Sequence, residues 1–544
     1  MNKSTCMIHS CVITFLFIIN SIAATGSNWV DGKVQQFASN GSWCWFQDER
    51  AVIDTAKNKL IVGSANMSSG VDLAIFDITN KKYETKRFGG LEYSDDHNSP
   101  GLLVAPNGNY IAMWAHHYDS KHRYSIYSNG QWSNEKSVNW SQWGSVSDCK
   151  VAYSNLYYLS DEKRILSCGR VFDRAPNFIY SDDNGQSWKY GGQLTTNSSN
   201  TYNKGYYKYW GNGKDRIDMV FTEEHPRDQT TSIYHGYIHD KKMYNSEGVL
   251  ADDDIYSKDK IPTFEAFTKV FEHGTKVNGV EMGRCWQHDI ARYDDSTIVI
   301  LFKARADDKK DDHRNFYARF NGTKWSVHYI GKAGTFFYGN EHDYVGLGSV
   351  NPDDPNRIYL STAYNPGDDN AKPSSKREIW RGTTTDQGAT WEWEPVTANS
   401  SRDNFRPIVP KWKPGKEALL WFRGNYITAQ NVNTEAVGTF YEYDPPGKVA
   451  AFSPANIKQS SQELSCIPGM HQVTVRYQIT SGEQMTTLKI YSLSGKKVEP
   501  LVQANRKAGS YQTNWNTAAV PSGTYIVQFT AGTARQHALL AVQK

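Results

Sequence analysis

The sequence has almost no helical periodicity. Across its 544 residues, apolar positions alternate in short runs between turn residues, which excludes a helical bundle and points to many short strands. Cysteine is also scarce. Of seven, Cys6 and Cys11 lie in the first stretch of chain, leaving Cys44, Cys149, Cys168, Cys285 and Cys466. So sparse a set is no disulfide framework, although it is compatible with one bridged pair. There is no excess of one charge. Lys and Arg number 60 against 57 Asp and Glu, a formal net charge of +3, too little for a nucleic-acid footprint. Long hydrophobic runs are missing as well, except near the start. Residues 1–24 carry Lys3, an apolar run from Val12 to Ile19, and small residues at Ala23 and Ala24. This is the pattern of a secretory signal peptide, too short to be a membrane span. The expectation is an exported protein, secreted or at the cell surface, without a membrane-spanning helix.

Aromatic residues are abundant, with 17 Trp, 33 Tyr and 22 Phe beside 42 Gly. So many rings fill a large core or line a groove for a flat ligand. A unit recurs at intervals of about 50–60 residues, the spacing of a propeller blade. Each begins with a polar or aromatic segment, passes through a short apolar strand and a tight turn, and ends its second strand at a basic, His or aromatic residue. The units begin at Trp45, Asp95, Tyr153, Tyr207, His288, His342 and Arg406. Their turns include Pro106-Asn107-Gly108-Asn109 and Lys413-Pro414-Gly415-Lys416. Seven units predict an all-β protein, a seven-bladed β-propeller. Ser181-Asp182-Asp183-Asn184-Gly185-Gln186-Ser187-Trp188 fits the Asp-box pattern, and Thr384 to Trp391 is a close variant. These are structural turns. Residues 241–282, with Asp252-Asp253-Asp254, read as a rim insertion in the fifth unit. Composition shifts after Pro445-Pro446, and residues 460–544 read as a small C-terminal β-sandwich. The expected organisation is 1–24 signal peptide, 28–445 propeller, and 460–544 C-terminal domain. That last segment resembles the sorting or anchoring domains that bacteria append to exported enzymes, with a carbohydrate-binding module as the alternative. The first reading implies contact with secretion machinery or the cell surface.

An antiparallel meander places the start of each innermost strand and the end of the next strand on one face. His97, Tyr153, Tyr207, His288, Asp343 and Arg406 then form an inner ring. His117, Arg170, His225, Arg305 and Arg423 lie just outside it. Two imidazoles, a phenol and a guanidinium in adjacent units suit an anionic sugar. Arg170 can clamp a carboxylate, and His or Tyr can move a proton. The inward pair of carboxylates that a glycosidase wants is not evident, although Asp48, Asp95 and Asp96 remain candidate acids. Cys285 and His288, in C-x-x-H spacing, lie near His225 and His235. These four are candidate ligands of a structural zinc between units four and five. Asp252-Asp253-Asp254 or Asp307-Asp308 offer oxygen ligands for calcium.

Trp43-Cys44-Trp45-Phe46-Gln47-Asp48-Glu49-Arg50-Ala51-Val52, Asp95-Asp96-His97-Asn98-Ser99-Pro100 and Phe221-Thr222-Glu223-Glu224-His225-Pro226 resemble the BNR-4 repeat family. Within it, residues 28–445 are similar to the seven-bladed ulvan lyases. The resemblance implies β-elimination on a uronate-containing, sulfated polysaccharide. It implies a pair of His on one blade, matched by His97 and His117 with His116 as a rival. It also implies a Tyr and an Arg, matched by Tyr153 and Arg170, with Tyr158 and Arg174 as rivals. A further Tyr is Tyr207 or Tyr209, and here Lys204-Gly205 stands where the family has Arg-Pro. A structural zinc is implied too. The expected catalytic set is His97, His117, Tyr153 and Arg170; the expected substrate-binding set is His116, Arg174, Tyr207, Tyr209 and Arg406. The alternatives are a rhamnosidase- or sialidase-like hydrolase, for which Arg50, Arg406 and Arg423 are the candidate arginines, and a non-catalytic glycan-binding propeller.

Overall fold

The computed structural model describes residues 34–443 and 464–542, apart from 69, 91–93, 118, 145–148, 198–203, 258, 295, 307–308, 338, 340, 470–471, 493–496, 519, 522 and 532–533. The expected signal peptide and Asp307-Asp308 fall outside the described residues. Seven antiparallel sheets of four to six strands follow one another along the chain, and an eighth lies at its C-terminal end. Each of the seven is built on a meander of consecutive strands, the arrangement of propeller blades. The second blade runs through Gly101–Val104, Tyr110–Ala115 and Lys121–Ser128, and the third through Ala152–Leu159, Arg164–Val171, Ala175–Ser181 and Lys189–Gln193. The last blade is closed by the N-terminal strand Gln35–Ala38, which pairs with Asn431–Glu442.

The blades are apolar because both faces of each sheet are covered by neighbours. Tyr110–Ala115 is buried along its whole length, as is all but the first residue of Arg164–Val171. Both Asp-boxes form as expected. Asp183 Oδ1 accepts the Ser187 N–H at 2.9 Å, and Asp386 Oδ1 accepts that of Thr390 at 2.8 Å. Gly185 and Gly388 take left-handed backbone angles, far from the pocket described below.

The innermost strand of the first blade is interrupted. Gly41–Ser42 and Ala51–Asp54 both pair with Lys59–Asn66. Between them, residues 43–50 leave the sheet and cross the central channel. There Trp45 stacks on Tyr344 at 5.4 Å and Phe46 on Trp286 at 3.4 Å. Gln47 Nε2 donates to the His97 carbonyl at 3.0 Å, and Asp48 Oδ1 accepts the Tyr209 N–H at 3.1 Å. Arg406 Nε donates to the Trp45 carbonyl at 2.8 Å. This segment plugs the channel and ties the first blade to at least five others.

The expected rim insertion is different in form. Lys242–Asn245, Leu250–Asp252 and Thr268–Phe271 extend the fourth blade's own sheet, and Thr275–Val277 forms a hairpin with the fifth blade's first strand, Val280–Arg292. The C-terminal sheet contains two long strands, Gln472–Ser492 and Lys497–Asn516, with a register break at Ile479/Glu483. Val475 and Tyr477 before the break share one core with Leu488 and Ile490 after it. Among the described residues, Cys44, Cys168, Cys285 and Cys466 are free thiols.

Candidate active site

One cavity of about 270 Å³ opens at the face where innermost strands begin and second strands end. His97 comes from a short 3-10 turn, Asp96–Asn98, just before the second blade's first strand, and His117 follows the end of its second strand. Arg170 ends the third blade's second strand. Tyr206 precedes the fourth blade's first strand, and His225 follows its second.

Asp95 organises the two imidazoles. Its Oδ1 lies 2.7 Å from His97 Nδ1 and also accepts the His97 backbone N–H at 2.9 Å. Its Oδ2 lies 3.1 Å from His117 Nδ1 and accepts from Gln430 Nε2 at 2.7 Å. Nδ1 of both rings is turned to one carboxylate, and both imidazoles line the cavity. The rings stack at 4.0 Å and 9°. Asp96 Oδ1 also lies 2.7 Å from His97 Nδ1, while its other oxygen accepts from Tyr426 at 2.7 Å.

The charges divide unequally between the two rings. Burial opposes a charged His97, but the Cys44 sulfur, Asp95, Tyr153 and Asp96 together hold its pKa well above the ordinary histidine value. Burial, and then repulsion from His97, push His117 down to about 4. Burial would raise Asp95, yet His97 and His117 keep it well below the usual carboxylate range. The surroundings thus favour the charged form of His97, the neutral form of His117 and the carboxylate form of Asp95, while burial raises Asp96.

Tyr153 lies one layer behind His97, with ring centroids 5.3 Å apart and its hydroxyl 3.8 Å from Cys44 Sγ. Its φ of 67° sits at a β-bulge between Ala152 and Asn155. His122 Nε2 fixes the Tyr153 carbonyl at 2.7 Å, while Trp140 donates to His122 Nδ1 at 3.0 Å. Burial, with Cys44 and Tyr206 nearby, raises the Tyr153 phenol well above 10. Strain held by surrounding contacts is common where a fold aims a functional side chain.

Across the cavity, Arg170 Nη1 donates to Tyr206 Oη at 3.2 Å, and its guanidinium lies 4.4 Å from that ring's centroid. Arg170 Nε donates to the Arg174 carbonyl at 3.1 Å. Phe172, Asp173 and Arg174 form a turn with three consecutive left-handed residues. His225 Nδ1 accepts the Arg227 backbone N–H at 3.1 Å, so the neutral ring carries its proton on Nε2, 3.2 Å from Tyr206 Oη. Arg174, Arg227, Glu341 and Tyr344 complete the wall, and Arg227 pairs with Glu341 at 2.7 Å.

The structure thus brings His97, His117 and Arg170 together, with Arg174 on the wall and Tyr153 beneath. It does not place the other expected residues there. His116 is buried and turned to Asp119 at 3.6 Å. Tyr207 stacks on Phe221 and bonds Thr195, and Tyr209 is buried on the far side of the blade; the phenol in the cavity is Tyr206. Because strand side chains alternate, a one-residue shift exchanges these faces. Arg406 is tied to the carbonyls of Trp45 and Gln47 and does not line this cavity. The sialidase arrangement is not formed. Arg50 bonds Gln47 and Asn155, Arg406 bonds the plug, and Arg423 pairs with Glu435.

The expected zinc ligands do not converge. His225 has both nitrogens engaged as described. His235 lies 2.8 Å from Ser246 and 3.2 Å from Asp218, and burial drives the Cys285 thiol strongly upward. His288 is buried among Lys303, Lys208 and Arg406, which disfavour a cation. These residues do not fit a zinc site. The three carboxylates at 252–254 likewise serve their own turn, where Asp252 Oδ1 accepts the Asp254 N–H at 3.0 Å and Asp254 Oδ1 that of Tyr256 at 3.0 Å.

Residues 44–333 match the profile of the BNR repeat-containing family, more than half of the chain. The protein belongs to this family. Residues 467–543 match the secretion system C-terminal sorting domain. No curated protein matches. Among solved structures, the chain is similar to a PL25 ulvan lyase bound to a GlcA–Rha3S saccharide, at 12% identity and a TM-score of 0.53, covering 74% of this chain and 95% of that one. A second PL25 ulvan lyase structure gives 14% identity, a TM-score of 0.52 and the same coverage. An α-L-arabinofuranosidase of Fusarium graminearum gives 12% identity, a TM-score of 0.39, and coverage of 65% and 95%. At such identities the likeness establishes the fold. Among the described residues, no helix is long and apolar enough to cross a membrane.

Proposed function

We propose that the protein is an exported polysaccharide lyase that cleaves an acidic, uronate-containing, sulfated chain of the ulvan type by β-elimination. The observation that carries this reading is the pairing of two imidazoles on Asp95 opposite the Arg170–Tyr206 pair, in one cavity. A further support is the lining itself. Its carboxylate, Glu341, is paired with Arg227; behind the imidazoles Asp95 is bonded to both rings, and Asp96 accepts from Tyr426 with one oxygen. A hydrolase would want two available carboxylates there.

In the proposed reaction, Arg170 and Tyr206 bind the uronate carboxylate, and His117 joins them as the bound anion favours its protonation. Withdrawal of charge into that carboxylate acidifies the C5 proton. His97, once neutral, takes this proton on Nε2. The C4–O bond breaks, the C4–C5 double bond forms, and the Tyr153 phenol protonates the departing oxygen. The proton on His97 then returns to Tyr153. The resting imidazolium must first lose its proton, so turnover rises with pH through a value above the ordinary 6.5. We also assign residues 1–24 to a signal peptide, 28–445 to the catalytic propeller and 460–544 to the sorting domain.

The test separates binding from turnover. Tyr153→Phe is expected to lower kcat by more than about 10²-fold, the usual scale of a lost general acid, with binding of the polysaccharide retained. Tyr206→Phe is expected to act mainly on KM. New reducing ends without conjugated, ultraviolet-absorbing products would mean a hydrolase. Binding with neither signal would mean a lectin.

A further inference from the structure

The channel has a second mouth. On the side opposite the catalytic cavity, the plug is the floor of another cavity, of about 300 Å³, rimmed by the ends of the innermost strands. The two cavities lie on either side of the same segment, since Trp45 and Phe46 pack toward Tyr344 and Tyr206 while Asp48 and Glu49 line the second.

Its chemistry differs from that of the first. The catalytic wall carries Arg170, Arg174 and Arg227. The second floor carries Asp48 and Glu49 beside Arg50, whose guanidinium is turned to Gln47 and Asn155. Glu49 keeps 22% of its side chain exposed although it lies in the channel, with its charge balanced by Lys208 at 2.8 Å. Asp48 accepts the Tyr209 N–H and is bonded to Tyr157 Oη. The walls are aromatic: Tyr157, Tyr158 and Trp210 are all half-buried at its edge. Lys411 Nζ sits 5.2 Å from the Trp210 ring centroid, held at that ring.

Aromatic faces beside carboxylates recognise a ring that offers C–H groups on one side and hydroxyl donors at its edge. A uronate or sulfate would meet Asp48 and Glu49 as like charges, so an anionic sugar is disfavoured. The volume is at the small end of ligand pockets, suited to one or two sugar rings. We propose that this second mouth is a non-catalytic binding site for a neutral pyranose residue of a polysaccharide. It is independent of the reaction assigned to the opposite face.

The test uses the full chain and three probes: methyl α-L-rhamnopyranoside, methyl β-D-xylopyranoside and sodium glucuronate. Binding is read by tryptophan fluorescence and by saturation-transfer NMR. At least one neutral glycoside is expected to saturate with a millimolar Kd. Trp210→Ala or Tyr158→Ala is expected to weaken it by about tenfold, the loss of a stacked ring, and Arg170→Ala to leave it unchanged. Two rim variants are used so that a failure of one to fold does not decide the question. The proposal is overturned by no saturable binding of either neutral glycoside, by binding unchanged in every folded rim variant, by loss of binding in Arg170→Ala, or by glucuronate competing at equal strength.

Discussion

Asp95 does more in this molecule than any group that touches the cavity directly. Four N–H donors converge on its two oxygens, from His97 twice, His117 and Gln430. It sets the tautomers of both imidazoles and helps to hold His97 charged. Asp95→Asn keeps the size but removes the charge and turns one acceptor into a donor. Its kcat/KM is expected to fall by about 10–10²-fold, on the scale of a lost orienting partner. The rising limb of the pH profile should move to lower pH, because the charge that raises His97 is gone. A limb that stays in place would show that Asp95 merely packs. In sequence, Asp95-Asp96-His97 is visible as a motif, but nothing there says which oxygen faces which ring. Tyr206 is hidden in the same way. Three tyrosines within four positions are chemically alike, and only the pleat decides which one meets Arg170.

The plug is the element on which the rest depends. Its residues read as a strand start in the sequence, because Trp43 to Phe46 are apolar or aromatic and lead into a blade. The pairing partner is what the sequence does not show. Along one edge the strand Lys59–Asn66 pairs with both Gly41–Ser42 and Ala51–Asp54, and the residues between them are displaced into the channel. Trp45 is fully buried there, among rings from the fifth, sixth and seventh blades. Trp45→Ala is expected to destabilise the propeller by about 3–5 kcal/mol, as for a large buried aromatic, measured by denaturant unfolding. Gly205 marks a second such point. A Cβ there would lie 1.6 Å from the Thr222 carbonyl oxygen, so Gly205→Ala must push the adjoining Tyr206 aside. Its expected signature is a raised KM at modest cost in kcat. The Lys204-Gly205 departure from the family pattern thus has a local reason, a close crossing of two backbones. The rim insertion was misread because its polar turns conceal strands that pair within the fourth blade.

At the scale of the molecule, strand count, turns and Asp-boxes were legible, since each depends on local alternation and turn chemistry. The completion of the last blade by Gln35–Ala38 and the separate surroundings of the four expected zinc ligands were not, because both depend on contacts between distant segments. The buried charges make the whole fold acid-sensitive. Burial would raise Asp218, but His235 and Arg216 hold it at about 2; Lys303 and Arg305 likewise hold Asp343 below the usual range. Groups depressed in this way stabilise the fold above the unfolded carboxylate value, and that stability is lost as pH falls through their folded values. The melting temperature is expected to be flat near neutrality and to fall steeply below about pH 4. The central claim is that the cavity carries out elimination and leaves a double bond in the sugar. The most direct measurement is proton NMR of the products from a sulfated, uronate-containing polysaccharide. The account predicts a vinylic H4 signal that grows with time and is absent with His97→Ala; saturated products with new reducing ends would contradict it.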